Sequence, residues 1–194
     1  MAEPIRLAAD PAPIGSGEPQ KLPRNIEAEA AFLGAILIDN RITEEVSIKL
    51  RAEHFFEPLH GRIYDQILRL IDRNMLVTPV TLKPFFEADE AMKELGGPGY
   101  LVKLTADGAG LLGARDFAQQ IYDLALLREL VSVGRTLVDN ALDTSEDVDP
   151  KGQIEAAESA LYKVAEGEGE TGSMKSFLAA STEAIKNVEK ALQS

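Results

Sequence analysis

No cysteine occurs anywhere in the chain. Disulfides, thiolate metal sites and a cysteine nucleophile are therefore excluded, and the absence fits a reducing cytoplasm. Basic residues are also short: 20 Lys and Arg stand against 32 Asp and Glu, a net charge of −12. A duplex-binding surface gains affinity by setting Lys and Arg on phosphates. This chain repels a polyanion on average, so strong direct DNA binding is not expected and a protein partner fits better. Aromatics set between Lys and Arg on one face, the mark of a single-strand binder, are not evident. The N-terminus lacks the basic stretch and apolar run of a signal peptide. The longest apolar run, Ala30–Ile38, is far short of the ~20 residues that a membrane span needs. A cytoplasmic protein with no membrane partner is expected.

Chemical motifs are missing as well. No G-x-x-x-x-G-K-[ST] element is present, so there is no P-loop for ATP. Gly167, Gly169 and Gly172 match the letters of G-x-G-x-x-G. That motif works by a tight strand-to-helix turn whose N–H groups face a pyrophosphate. Here a helix precedes it, and Glu166, Glu168 and Glu170 would repel the phosphates, so a flexible acidic linker is the better reading. The two histidines, His54 and His60, lie six apart, whereas one helical face sets metal ligands three or four apart. Each reads as a capping or partly buried residue, and no metal site is expected. Glu44-Glu45 and Asp89-Glu90 read as solvated faces of amphipathic helices. No nucleophile, base and orienter converge.

What the sequence does contain is helical periodicity. Residues 1–22 carry Pro4, Pro11, Pro13 and Pro19 with few apolar side chains, and are expected to be a disordered tail. Asn25 is an N-cap with Glu27 and Glu29 in the first turn, where the helix dipole favours anions. Ile26, Ala30, Leu33 and Leu37, widened by Phe32 and Ile36, then predict a helix buried on most sides. Asp39-Asn40 ends it and caps a second helix over 42–50. Pro58 starts a third, with Ile63, Tyr64, Ile67 and Leu70, to about Arg73. Thr78-Pro79 starts a fourth, which Pro84 should break or kink. Gly96-Gly97-Pro98-Gly99 is a stop and restart, followed by a short helix from Tyr100 to about Asp107 and a loop over 108–113.

From Ala114 to Leu142 apolar residues recur at Phe117, Ile121, Leu124, Leu127, Val131, Leu137, Val138 and Leu142. These steps make one helical stripe, about 29 residues and about 43 Å long at 1.5 Å per residue. Asp149-Pro150 then starts a return helix to about Ala165 through a loop short enough for antiparallel neighbours. The long helix outruns its return helix, so part of its stripe has no cover inside the chain. Ser173 caps a last amphipathic helix with Phe177, Leu178, Ile185 and Val188. The fold class is all-α: a helical head over 23–112, an antiparallel hairpin over 113–166, and a linker with one further helix over 167–194.

A family resemblance rests on blocks that keep their order over about 22–165. Arg24-Asn25-Ile26-Glu27-Ala28-Glu29 and Leu33-Gly34-Ala35-Ile36-Leu37 are followed by His54-Phe55-Phe56 and His60-Gly61-Arg62-Ile63-Tyr64. Then come Thr78-Pro79-Val80-Thr81-Leu82, Glu94-Leu95-Gly96-Gly97 with Tyr100-Leu101, and Ile121-Tyr122-Asp123-Leu124-Ala125-Leu126-Leu127-Arg128-Glu129-Leu130. Together they resemble the N-terminal domain of the bacterial replicative DNA helicase, the DnaB family. The resemblance implies a collar domain that pairs with copies of itself, builds a trimer of dimers on the hexamer and receives the C-terminal helicase-binding domain of primase. A helicase loader is a further partner of that kind. It implies oligomer or primase contacts at Tyr100, Phe117, Ile121, Leu124, Arg128, Val131, Leu137 and Val138. It also implies docking of the linker helix, through Phe177, Leu178, Ile185 and Val188, on a neighbouring ATPase domain. The chain then reads as a fragment without catalytic activity or cofactor, ATP and Mg2+ belonging to an absent C-terminal domain. Where the family often has Asn, Gly113 stands at the expected cap of the first hairpin helix. The alternatives are a stand-alone helical interaction module, or an enzyme with a pocket between head and hairpin holding His60 and two carboxylates.

Overall fold

The helix at the centre of the head, α1 (Ile26–Ile38), is the one whose sequence is apolar nearly all round. Every residue from Phe32 to Leu37 is buried. Asn25 caps it, its side-chain oxygen accepting from Ala28 N at 3.0 Å. The computed structural model describes residues 21–46, 50–106, 110–143 and 149–166.

After α1 come α2 (Ile42–Val46), a 3-10 turn (Ala52–His54), α3 (Pro58–Ile71), α4 (Pro79–Phe86), α5 (Glu90–Glu94), α6 (Gly99–Leu104), α7 (Gly110–Leu142) and α8 (Pro150–Glu166). Helix α3 turns Leu59, Ile63, Tyr64, Ile67 and Leu70 inward. Phe32, Phe55 and Tyr64 form an aromatic centre with centroids 5.1–6.4 Å apart. Thr78 caps α4 by accepting from Thr81 N, and Asp89 caps α5 by accepting from Met92 N. Gly96 and Gly97 take φ of 97° and 74°, the left-handed region where a side chain is strained. Among the described residues there is no strand, and the architecture is a helical head continued by an antiparallel hairpin of α7 and α8.

Two expectations need correction. Pro84 does not break α4; it sits exposed inside the helix, which ends two residues later at Phe86. The long helix starts at Gly110, so Gly113 lies within it rather than at its cap. The cause is packing: Gly110, Ala114 and Ala118 recur at four-residue spacing and are buried. A methyl on Gly110 would sit 2.6 Å from Ala31 O, so the bare backbone is what lets the first turn lie against α1. Asn40 does more than end α1. Its amide donates to Ile36 O and Val77 O and accepts from Val77 N, all at 2.8–2.9 Å, tying the end of α1 to the approach to α4. The expected tail and the linker helix lie outside the described residues.

Candidate functional site

Helix α7 changes character halfway along. Its buried residues, Gly110, Ala114, Ala118, Ile121 and Ala125, all lie in its first half. Beyond Ala125 neither α7 nor α8 contributes a buried residue to the described structure. Several large side chains there are nonetheless apolar. Leu127, Leu130 and Leu137 are 47, 43 and 42% exposed, and Leu142, Ile154 and Leu161 are 76, 59 and 47% exposed. Helix α7 has 33 residues and α8 has 17, about 50 Å against about 26 Å. Between them runs a groove of about 160 Å³, with Ser132, Val133, Thr136 and Leu137 on one wall and Ala156, Ala157 and Ala160 on the other.

The residues expected at an interface divide. Leu137 and Val138 are exposed on the hairpin, Val131 and Leu124 are partly buried, and Phe117 packs partly buried against the head. Ile121 is not on the free face. It is 2% exposed and belongs to the head's core, because α7 still lies against α1 at that point. Arg128 is also committed within the chain. Its guanidinium donates to Pro23 O at 3.0 Å and to His54 O at 2.7 Å, and it lies over the Phe56 ring, as Arg24 does. Burial lowers the pKa of Arg128, opposed by the nearby carboxylates of Glu29 and Glu129. The four linker-helix positions, Phe177, Leu178, Ile185 and Val188, lie outside the described residues.

Tyr100 is partly buried on α6 and belongs to a polar network below the surface. His60 is wholly buried, with Nδ1 2.9 Å from Glu29 Oε2 and Nε2 2.6 Å from the Tyr100 hydroxyl. Glu29 accepts from the backbone N–H groups of Phe56 and Glu57 as well, at 2.6 and 3.2 Å. Burial, then the carboxylates of Glu57 and Glu29, raise the pKa of the Tyr100 hydroxyl, which stays protonated at neutral pH. His54, by contrast, caps its 3-10 turn, Nδ1 accepting from Arg51 N at 3.0 Å.

This is not the pocket that an enzyme would need. His60 meets one carboxylate rather than two, and its ring is sealed from solvent. Glu57 turns its carboxylate to the start of α3, accepting from Leu59 N. Sequence reading missed Glu29, taken only as a favourable charge in the first turn of α1. A signal was present: Glu29 lies three, four and seven residues before Phe32, Leu33 and Ile36, on the apolar face, where a carboxylate needs buried partners. Among the described residues, no helix is long and apolar enough to cross a membrane, and no three metal-ligating side chains converge.

Comparison with known proteins agrees with this architecture. The family model described as the DnaB-like helicase N-terminal domain matches residues 21–123. The replicative DNA helicase DnaB of Rickettsia prowazekii is 44% identical over 144 residues, 74% of this chain and 30% of the relative. That of Rickettsia conorii is 39% identical over 176 residues, 90% of this chain and 35% of the relative. The chain thus spans about a third of the length of the curated relatives it matches. The crystal structure of the N-terminal domain of DnaB helicase from Mycobacterium tuberculosis superposes with a TM-score of 0.66 at 27% identity, covering 74% of this chain and 99% of that one. A DnaB-like replicative helicase, solved in a study of its interactions with primase, superposes with a TM-score of 0.57 at 25% identity, covering 84% of this chain and 35% of that one.

Proposed function

The chain belongs to the DnaB-like helicase N-terminal domain family, and from that membership we propose that it is an assembly and docking module of a replicative helicase. It joins copies of itself into dimers and a collar, and it receives the C-terminal helicase-binding domain of primase. The observation that carries this reading is the uncovered half of the hairpin. Past Ala125, Leu127, Leu130, Leu137 and Leu142 on α7 and Ile154 and Leu161 on α8 stand open to water. Covering a large apolar side chain is worth about 1.5–3 kcal/mol, and contiguous apolar surface of this kind marks an interaction site.

The division within α7 supports the same reading. Its first half serves the head, which leaves Leu137 and Val138 for contacts between chains, with Leu124 and Val131 at their inner edge. Tyr100 on the head is assigned to primase docking together with Val131 and Leu137. The relative described with its interactions with primase supports that choice of partner. Residues 167–194 are assigned to docking on a neighbouring ATPase domain. A helicase loader is assigned as a further partner of the assembled ring. Unwinding, with its ATP and Mg2+, is assigned to the part of the relatives' length that this chain does not span, and no cofactor to the chain itself.

Light scattering of the chain across a micromolar concentration range tests the assembly role. A dimer or larger species that grows with concentration is expected, and a monomer at every concentration overturns it. Titration with the primase domain tests docking: saturable binding is expected, and its absence for the assembled form overturns that half.

A further inference from the structure

The buried carboxylate of Glu29 decides which way the Tyr100 hydroxyl points. Glu29 is 2% exposed. Its oxygens face three nitrogens: Phe56 N at 2.6 Å, Glu57 N at 3.2 Å and His60 Nδ1 at 2.9 Å. An ionised carboxylate only accepts, so His60 Nδ1 carries the proton in that bond. The other nitrogen of a neutral imidazole is then an acceptor. The Tyr100 hydroxyl lies 2.6 Å from that Nε2 and donates to it, with the two ring planes 5° apart. The hydroxyl proton is thus spent inside the head while the ring remains partly exposed.

We propose that Glu29 and His60 are positioning residues that turn the Tyr100 hydroxyl proton inward, so that a docking partner meets Tyr100 as an apolar ring and not as a hydrogen-bond donor. This rests on the assignment of Tyr100 to primase docking. It specifies the chemistry on the other side. An aliphatic or aromatic side chain of the primase domain lies against the ring, and no carboxylate or carbonyl is set there to take its proton. The same carboxylate also holds the turn whose Phe56 ring lies under Arg128 of the hairpin.

Nitrogen-15 NMR of the histidine-labelled full chain reads the tautomer directly. His60 is expected as the Nδ1–H form. In Glu29→Leu no acceptor faces Nδ1, so the hold on the Nδ1–H form is released and an Nε2–H signal should appear. Far-UV dichroism of the variant reports whether the helices persist. Tyr100→Phe should bind the primase domain within about twofold of the parent, whereas Tyr100→Ala should lose about tenfold or more. An Nε2–H tautomer or a doubly protonated ring in the parent, an unchanged tautomer in a folded Glu29→Leu, or a loss in Tyr100→Phe as large as in Tyr100→Ala overturns the inference. Parent-like binding by Tyr100→Ala overturns instead the assignment of Tyr100 to docking, whatever the tautomer.

Discussion

Gly34 of α1 lies directly under the carbonyl of Leu104 at the end of α6, so close that a methyl built on Gly34 would overlap that oxygen. The obstacle is backbone, which cannot swing aside as a side chain would. In most helix interiors Gly→Ala gains up to about 1 kcal/mol. Here Gly34→Ala should destabilise by about 1–3 kcal/mol, the usual cost of overpacking. Urea unfolding followed by far-UV dichroism reads this as a lower midpoint with an unchanged slope, and a raised midpoint would show that α6 can move away.

Arg128 holds two backbone carbonyls from distant parts of the head, Pro23 O and His54 O. Arg128→Ala leaves both short of a donor, at about 1–3 kcal/mol for a partly buried polar group. Arg128→Lys should not restore the loss, since an ammonium cannot reproduce the planar fork. The expected result is a lower thermal midpoint in both variants. A midpoint equal to the parent's would mean that water replaces the guanidinium at no cost.

Leu137→Asp should do the opposite. Leu137 is 42% exposed beyond the buried half of α7, so the monomer's stability should change by no more than about 0.5 kcal/mol. Self-association measured by light scattering should weaken clearly. Equal weakening of stability and assembly would place Leu137 in an intramolecular core.

Burial raises the Tyr64 hydroxyl from 10.0 to about 12. A raised folded value means that the neutral form is favoured in the native state. The stability it contributes is complete below pH 10 and is lost as pH rises through about 12. The loss amounts to about 2–3 kcal/mol at most. Tyr64→Phe, which removes the group that titrates, should flatten the alkaline limb of the unfolding profile between those values.

Asp89 behaves in the acid range. The backbone N–H of Met92 first, and then Arg62, lower its pKa below 3.8. Its contribution is present above 3.8 and is lost as pH falls through the depressed folded value. Asp89→Asn keeps a good N-cap but removes the charge paired with Arg62, so the variant should be less stable than the parent at neutral pH and its stability should fall less steeply below pH 3.8, the two curves converging in acid. An identical acid limb would mean that the pair is fully screened.

These cases show what could be read from the chain. Asn25 and Thr78-Pro79 sit at helix starts because each satisfies a donor three residues ahead, a local rule written in adjacent letters. The stripe from Phe117 to Leu142 was legible for the same reason, and so was the excess length of its helix over the return helix. The partners of Glu29, Asn40 and Arg128 were not, although the place of Glu29 on the apolar face was. Their partners lie 27 to 105 residues away, and nothing in the neighbouring sequence distinguishes an arginine at a subunit contact from one that clasps its own head. Gly113 was misplaced because the start of α7 is set by the bare backbone of Gly110 on α1, not by a cap. Leu137 and Val138 lie exposed on the hairpin, and that exposure follows from where burial stops at Ala125, which only the packed structure shows.

Helix α7 is anchored to the head as far as Arg128 and extends beyond it with α8, and that makes the hairpin a lever. From Arg128 to Leu142 the arm is roughly 21 Å long at 1.5 Å per residue. A tilt of about 5° at the anchored end, small enough to be absorbed by the side chains around Ile121, swings the far end by roughly 2 Å over an arm of that length. The head therefore has mechanical advantage over the hairpin tip. A shift too small to open its core is large enough at the tip to change which apolar residues of a neighbour come into register.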